Sequence, residues 1–243
     1  LLLQSRYRKG VVAVNLTKTL LVDLWYIKLL KGHDWFERSV ALLTEENFKI
    51  IKSVKKILKP LRQCLNIKHM NNIFVQHRIN TIKELSTVSE DYGVEVDIRV
   101  QDGNLICAHD PSDKGELLKN FLSSYNHAFF IANIKDEGIE QDVIRIFEDY
   151  KIENYFLLDV SFPFIIKLSE LGIKKIALRV SDFELFNRNI LDCCSIEWIW
   201  LDAFDRFPVE ELKKIEEYSQ SKNIKICLVS PELHMSRSNL KSE

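Results

Sequence analysis

Two pairs of polar side chains occur within apolar runs of the sequence, and their types and spacing are suited to chemistry. Glu95 and Asp97 are two positions apart, as are Asn133 and Lys135. Side chains at i and i+2 of a β-strand share a face, so each pair is expected to project towards one point. Carboxylate oxygens favour Mg²⁺ or Ca²⁺ over zinc, for which the sequence has no His/Cys ligand spacing. The first pair therefore predicts a site for one divalent cation.

Histidines follow two of the apolar runs. His77-Arg78 comes directly after the run 73–76, and His109-Asp110-Pro111 follows a short hairpin arm. Two histidines can supply the base that activates an attacking oxygen and the acid that protonates a leaving oxygen, as phosphodiester cleavage requires. The cation and Lys135 would then hold the phosphoryl charge.

Each of these residues also has a structural interpretation. A histidine taken alone is more often a hydrogen-bonded structural residue than a catalytic one. Glu95 and Asp97 alternate with branched apolar residues, which is also the pattern of a half-exposed strand with a polar outer face. Helices that cover the outside of the sheet would weaken that alternative. Asp110 is expected to be a turn residue before Pro111.

The elements that must position these residues alternate between strand-like and helical patterns. Such alternation indicates the α/β class with a parallel sheet. The compact spacing favours a (β/α)8 TIM barrel, in which functional side chains lie at the C-terminal strand ends. A hairpin arm, Asn104–Ala108, is expected after the turn Asp102-Gly103. The seven predicted strands are Ile73–Gln76, Val94–Val100, Ala128–Lys135, Tyr155–Val160, Ile173–Val180, Trp198–Asp202 and Ile224–Val229.

The predicted barrel is incomplete at its last strand. Too few residues follow Val229 for another helix and an eighth strand. A missing strand would leave an unpaired parallel edge between the seventh and first strands, which promotes aggregation. One hypothesis is that Val11–Leu16 fills this gap.

The first seventy residues differ from the rest of the chain. Residues 1–70 carry 14 Lys/Arg and 5 Asp/Glu, whereas residues 71–243 carry 20 and 30, so the net charge of −1 conceals a basic and an acidic part. Apolar residues recur at helical spacing from Thr17 to Lys59, which predicts a mainly helical segment. The domain boundary is expected between Pro60 and Asn72. The basic face is expected to be a solvated surface or to contact the acidic remainder or a larger polypeptide, with an anionic surface as the alternative partner.

Composition narrows the class of protein further. With 46% hydrophobic residues and only 7 glycines, the chain can bury a core but has no glycine-rich loop for a nucleotide. Its 5 cysteines lack a C-x-x-C pair, which favours reduced thiols and a cytoplasmic protein. Polar and charged residues interrupt the apolar stretch from Val11 to Leu30, so no transmembrane segment is expected. The start at Leu1 leads us to expect a fragment of a longer protein. No nucleic-acid partner is expected.

The order H-R at 77, E-x-D at 95, H-D-P at 109 and I-K at 134 resembles the glycerophosphodiester phosphodiesterase family of phospholipase C-like TIM-barrel enzymes. The resemblance covers Asn72 to about Leu233. It implies that His77 and His109 are the acid–base pair and that Arg78 and Lys135 contact phosphate. It also implies that Glu95 and Asp97 are the first two metal ligands. It also implies cleavage through a cyclic phosphate, which is the final product in the lyase branch.

The sequence departs from the family pattern at the site. Asn133 stands where the third acidic metal ligand is usual, so we expect weaker cation binding, with Asp159 or Asp202 as compensating ligands. Ile79 replaces a glycine, and the following loop is short. We therefore predict a metal-dependent phosphoric diester hydrolase acting on a small phosphodiester or a phosphate-linked glycan or lipid headgroup. The alternative is a catalytically degenerate barrel that serves as a binding or assembly module.

Overall fold

The structure is a computed structural model that describes residues 40–43, 73–219, 222–229 and 233. Within these residues, no helix has both the length and the apolar composition needed to cross a bilayer. The predicted strand Val11–Leu16, the helices expected on either side of residues 40–43 and the boundary between Pro60 and Asn72 lie outside the described residues.

The described chain is a mixed α/β structure in which strands and short helices alternate. Its strands are β1 (Val40–Leu43), β2 (Ile73–Gln76), β3 (Gly93–Gln101), β4 (Asn104–Cys107), β5 (Glu116–Leu117), β6 (Phe129–Ile134), β7 (Tyr155–Leu158), β8 (Ala177–Val180), β9 (Trp198–Leu201) and β10 (Lys225–Val229). Its helices are α1 (Ile82–Leu85), α2 (Leu118–Ser123), α3 (Glu140–Asp149), α4 (Phe162–Glu170), α5 (Arg188–Cys193) and α6 (Val209–Ser219).

Parallel pairing connects most of these strands edge to edge. One series runs through β1, β2, β3, β6 and β7, and a second runs through β1, β10, β9 and β8. Between β7 and β8 the structure has an isolated parallel bridge, Leu157 to Ile176. The seven strands predicted after residue 72 are therefore present, in one parallel sheet as expected.

Strand β1 corrects the prediction for the first seventy residues. Val40 pairs with Ile73 of β2 and with Cys227 of β10, so β1 occupies the edge that was expected to be unpaired. The helical pattern predicted from Thr17 to Lys59 is therefore wrong at residues 40–43. A run of four apolar residues is too short for periodicity to distinguish strand from helix, which is why the sequence pattern did not reveal it.

Strand β8 begins at Ala177, whereas the sequence predicted a strand that starts at Ile173. The amide of Ile173 donates to the carbonyl of Leu168 at 3.0 Å, and Gly172 between them has a φ of +76°. This hydrogen bond is typical of a helix C-cap. The C-cap requires one residue in the left-handed conformation, which glycine adopts at no steric cost. Ile173 therefore terminates α4 instead of starting the strand.

The expected hairpin after β3 is confirmed. Strands β3 and β4 pair antiparallel, and the turn residues Asp102 and Gly103 have φ values of +50° and +75°. Two consecutive positive φ values define the type I′ turn that matches the twist of a two-residue hairpin. The hairpin brings the chain back to Asp97 of β3, whose carbonyl accepts from the amide of Ala108 at 3.0 Å, so His109 lies beside that strand.

Alternation along β3 divides its side chains between two environments. Val94, Val96 and Ile98 are fully buried in the core that packs against the helices. Glu95 and Asp97 point to the opposite face and are 0% and 1% exposed. The alternative of a half-exposed strand is therefore wrong, because both faces of β3 are covered.

Aromatic residues fill the face of the sheet on which Glu95 projects. Phe129, Phe156 and Trp198 contact one another with ring centroids 4.9 to 5.7 Å apart. Trp200, which the sequence left open as core or substrate platform, is 4% exposed and belongs to the same cluster. This packing closes the face behind the polar residues at the strand ends.

Removing β1 tests its place in the sheet. A chain that starts at residue 45 should unfold at lower temperature and associate more than a chain that starts at residue 38, because two strand edges lose their partner. With roughly 1 kcal/mol for each net hydrogen bond, the loss amounts to several kcal/mol. Thermal unfolding and size-exclusion chromatography of the two chains measure both effects, and equal stability would show that β1 contributes nothing to the sheet.

Candidate active site

Two buried carboxylates form the centre of the candidate site. Glu95 and Asp97 project from the middle of β3, which is paired on one side with β2 and on the other with β6. A strand held on both sides has little freedom, so the positions of the two carboxylates are set by the sheet. Burial of ionised groups is costly unless they are hydrogen-bonded or paired with charge. The surrounding donors therefore determine what this site can do.

Asn133 connects the two carboxylates. It lies opposite Asp97 on β6, and its Nδ2 donates to Glu95 Oε1 at 2.8 Å and to Asp97 Oδ1 at 3.2 Å. Its Oδ1 is buried and has no hydrogen-bond partner among the described residues. The structure thus brings together the three predicted metal-site residues.

Lys135 supplies positive charge to the cluster. Its Nζ lies 3.1 Å from Asp97 Oδ1, and its own side chain is 19% exposed. Its backbone amide donates to the carbonyl of Ile98, which fixes the end of β6 against β3. The ammonium group therefore lies between the buried carboxylate and solvent, where an anionic substrate could reach it.

Asn80 holds Asp97 from the other side and was not among the predicted site residues. Its Nδ2 donates to Asp97 Oδ2 at 2.8 Å, and its Oδ1 accepts from the Asp97 backbone amide at 2.9 Å. This paired contact fixes both the side chain and the backbone of Asp97. The sequence offers only a polar residue just before the N-cap residue Thr81 as a signal for it.

Burial and the neighbouring charge of Asp97 raise the pKa of Glu95 from 4.5 to about 7. Hydrogen bonds from the Arg78 amide and the Asn133 side chain, together with the charge of Lys135, act in the opposite direction. The loss of solvation is the largest of these influences because the carboxyl group is fully buried, so the pKa of Glu95 is raised. Near neutral pH, Glu95 can therefore exchange a proton.

His77 and Arg78 lie at the end of β2, next to Glu95. The Nε2 of His77 is 3.6 Å from Glu95 Oε2, and the backbone amide of Arg78 donates to the same oxygen at 2.8 Å. Arg78 has a φ of +55°, an uncommon conformation for a residue other than glycine. This turn aims the Arg78 amide at the buried carboxylate.

His109 meets the site through Arg78. Its Nε2 lies 2.6 Å from the Nη2 of Arg78, and its Nδ1 lies 2.8 Å from Asp110 Oδ1. The His109 carbonyl accepts from Arg99 Nε at 2.9 Å, and Arg99 is paired with Asp136 at 2.7 Å. The motifs at the ends of β2, β3, β4 and β6 are therefore joined in one hydrogen-bonded network.

A second polar cluster forms at the ends of β7, β8 and β9. Arg179 is bonded to Asp159, and its Nη1 donates to Asp202 Oδ2 at 2.5 Å. Asp202 also accepts from Trp200 Nε1 at 3.0 Å and from the Ala203 amide at 2.9 Å. Asp159 and Asp202, expected as compensating metal ligands, are thus engaged by Arg179.

The described part of the chain has no group of three or more His, Cys, Asp or Glu side chains that could hold a metal ion. A cation at Glu95 and Asp97 would therefore depend on an amide as its third protein ligand. The unpartnered, buried Oδ1 of Asn133 is the atom with that capacity. An amide's oxygen and nitrogen can exchange places by a half-turn of the side chain, which leaves its shape unchanged.

The solved structures to which this chain is similar include two phosphodiesterases. No protein-family model and no curated protein matches the chain. A glycerophosphodiester phosphodiesterase from Parabacteroides distasonis is 14% identical, with a TM-score of 0.43 over 61% of this chain and 76% of that one. A provisionally named glycerophosphoryl diester phosphodiesterase from Agrobacterium tumefaciens is 16% identical, with a TM-score of 0.43 over 65% of this chain and 94% of that one.

The titration of Glu95 predicts how stability depends on pH. The unfolded chain ionises this carboxyl near pH 4.5, whereas the folded protein keeps it protonated to about pH 7. Its contribution to the free energy of unfolding is therefore fully present below pH 4.5 and lost as pH rises to about 7. Urea unfolding of the metal-free protein across this range measures the decrease.

The variant Glu95→Gln isolates this effect. It cannot ionise, so its free energy of unfolding should decrease less across the same range. Glu210→Gln, on the exposed face of α6, serves as the control and should follow the wild-type profile. A Glu95→Gln profile parallel to that of the wild type would contradict the assignment.

Proposed function

We propose that this protein is a metal-assisted phosphodiesterase of the glycerophosphodiester phosphodiesterase type. The observation that carries the proposal is the position of Arg78, whose backbone binds Glu95 and whose guanidinium binds His109. One residue thereby links both histidine motifs and the carboxylate pair. Acid, base, phosphate-binding and metal-binding groups then lie at neighbouring strand ends, where β/α enzymes carry their active sites.

The architecture that we propose for this site is a (β/α)8 barrel that includes β1. Eight strands follow one another in parallel, from β1 through β10, once the antiparallel β4 and β5 are set aside. The inner face would hold the aromatic cluster and, at one end, the buried carboxylates. The barrel domain then comprises residues 71–243 together with β1, and the remainder of residues 1–70 keeps its proposed role in contacting a larger polypeptide or an anionic surface.

The residues present fit a hard divalent cation, Mg²⁺ or Ca²⁺. Glu95 and Asp97 supply carboxylate oxygens, and a half-turn of the Asn133 side chain would direct its amide oxygen, in place of Nδ2, towards them. Such a cation would act as a Lewis acid that polarises the phosphoryl oxygen. The site has two carboxylates, with Asn133 in place of a third, so its affinity for the cation is expected to be modest.

The protein's own residues would perform the proton transfers. One histidine of the pair His77 and His109 removes the proton from a substrate hydroxyl next to the phosphate, and that oxygen bonds to phosphorus. The bond from phosphorus to the leaving alcohol breaks, and the other histidine protonates the departing oxygen. The product is a cyclic phosphate, which water can then open. Arg78 and Lys135 hold the phosphate oxygens during the reaction.

The proposed substrate is a small phosphodiester, or a phosphate-linked glycan or lipid headgroup. An adjacent hydroxyl is required because the chemistry proceeds through internal attack. Phosphorus NMR of the product distinguishes hydrolysis, which ends at a phosphomonoester, from lyase chemistry, which ends at the cyclic phosphate.

Replacement of either histidine tests the catalytic assignment. His77→Ala and His109→Ala should each lower kcat by about 10² to 10⁴-fold on an active diester, the usual contribution of a general acid or base. His127→Gln is the control, because His127 bonds to the Val88 carbonyl, away from the described site. A panel of diesters with saturating Mg²⁺ or Ca²⁺ supplies the substrate. Unchanged rates in both alanine variants would exclude the mechanism.

Asn133→Asp tests the cation site. A third carboxylate should raise the affinity for Mg²⁺ or Ca²⁺ by about 10-fold or more, and should destabilise the metal-free protein through repulsion. Calorimetric titration and thermal unfolding with and without the cation measure the two effects. Asn120→Asp makes the same change of charge at an exposed position of α2 and should alter neither. Equal affinity in Asn133→Asp and wild type would argue against a cation at this position.

The contacts of Asn133 and Lys135 also support a second candidate function, a binding or assembly module without catalysis. The amide bridges both carboxylates and the ammonium group pairs with Asp97, so the cluster has partners even without a cation. A protein of this kind would bind no divalent ion and cleave no diester. Calorimetric titration of the wild type with Mg²⁺ or Ca²⁺ separates the two functions.

A further inference from the structure

His109 makes a contact that determines which of its nitrogens carries a proton. Its Nε2 lies 2.6 Å from Arg78 Nη2. A guanidinium group can only donate hydrogen bonds, so Nε2 must be the acceptor in this contact. The proton of a neutral imidazole is then on Nδ1, which lies 2.8 Å from Asp110 Oδ1. A carboxylate can only accept, so both contacts require the same tautomer.

We infer that Asp110 is a positioning residue that holds His109 as the Nδ1–H tautomer, so that the unprotonated Nε2 is the proton acceptor of the site. The inference rests on the proposed function, in which His109 is one of the two proton-transferring groups. It assigns the acceptor role to His109 and leaves the donor role to His77. A carboxylate that orients an imidazole and selects its tautomer is the arrangement used in the Ser-His-Asp triad.

The backbone around His109 is held independently of Asp110. Arg99 Nε donates to the His109 carbonyl at 2.9 Å, and Arg99 is paired with Asp136, which also accepts from the Val100 amide at 2.8 Å. These contacts fix the main chain at the point where the hairpin returns. Asp110 is therefore needed for the side chain of His109 and not for the loop.

The exposure of Asp110 supports a role in orientation rather than stability. Its side chain is 64% exposed, and that of His109 is 34% exposed. Exposed ion pairs add little to stability because solvent screens them. Replacement of Asp110 alone is expected to weaken the preference of His109 for the Nδ1–H tautomer, which the Arg78 contact also supports, while leaving the midpoint of thermal unfolding close to that of the wild type.

Nitrogen-15 NMR of the histidine side chains, in mildly alkaline buffer and without substrate, tests this inference. His109→Gln identifies the resonances by their loss. In the wild type, His109 should carry its proton on Nδ1. Arg78→Met should retain that tautomer, because Asp110 remains, whereas Arg78→Met combined with Asp110→Ala should lose the preference. Asp142→Ala, at an exposed position of α3, is the acidic control and should change nothing.

Two results would overturn the inference. One is a proton on Nε2 in the wild type, and the other is loss of the Nδ1–H form in Arg78→Met alone, which would assign the tautomer to Arg78. If a substrate is found, Asp110→Asn should lower kcat by about 10-fold or more with little change in KM. The spectra require no turnover, so absence of activity would count against the proposed function while the tautomer could still be confirmed or excluded.

Discussion

The burial of two carboxylates side by side on β3 is the constraint on which the site depends. An ionised carboxylate in an apolar interior needs donors or opposite charge, and two of them repel each other as well. The structure meets this need from several strand ends. Asn80 follows β2, Asn133 lies on β6, and Lys135 follows it. Because the donors come from two different strand ends, those of β2 and β6, the carboxylates can only be buried if these strands are correctly placed beside β3.

Compensation of the two charges is nevertheless incomplete. Lys135 supplies one full positive charge, whereas the amides of Asn80 and Asn133 supply only dipoles. Burial, together with the charge of Asp97, raises the pKa of Glu95 to about 7 in spite of these donors. A proton can relieve the excess of negative charge, and the divalent cation that we propose for this site would do the same. The same deficit that weakens the metal-free protein near neutral pH would therefore promote cation binding.

The sequence predicted the regular part of this arrangement and missed the local contacts. Alternation of apolar residues correctly placed Glu95 and Asp97 on one face, because the period of a strand is a direct consequence of its backbone. Strand β1 was missed because a run of four apolar residues fits either period. The contacts of Asn80 and Asp110 depend on how loops return to the sheet, which no periodic pattern encodes. Burial of Glu95 also followed from packing on both faces of the sheet, which a single strand cannot reveal.

The two arginines at the strand ends differ in how far their positive charge is matched by carboxylates. Arg179 lies among Asp159, Asp202 and Glu184, so its charge is already matched by carboxylates. Arg78 instead donates to His109, a partner that is neutral in the tautomer required by the contact. Its charge therefore remains available to an anion that enters the site. Phosphate drawn to Arg78 would also compete for the guanidinium that covers Nε2 of His109, so binding of the substrate and exposure of the proton acceptor would be coupled through one side chain.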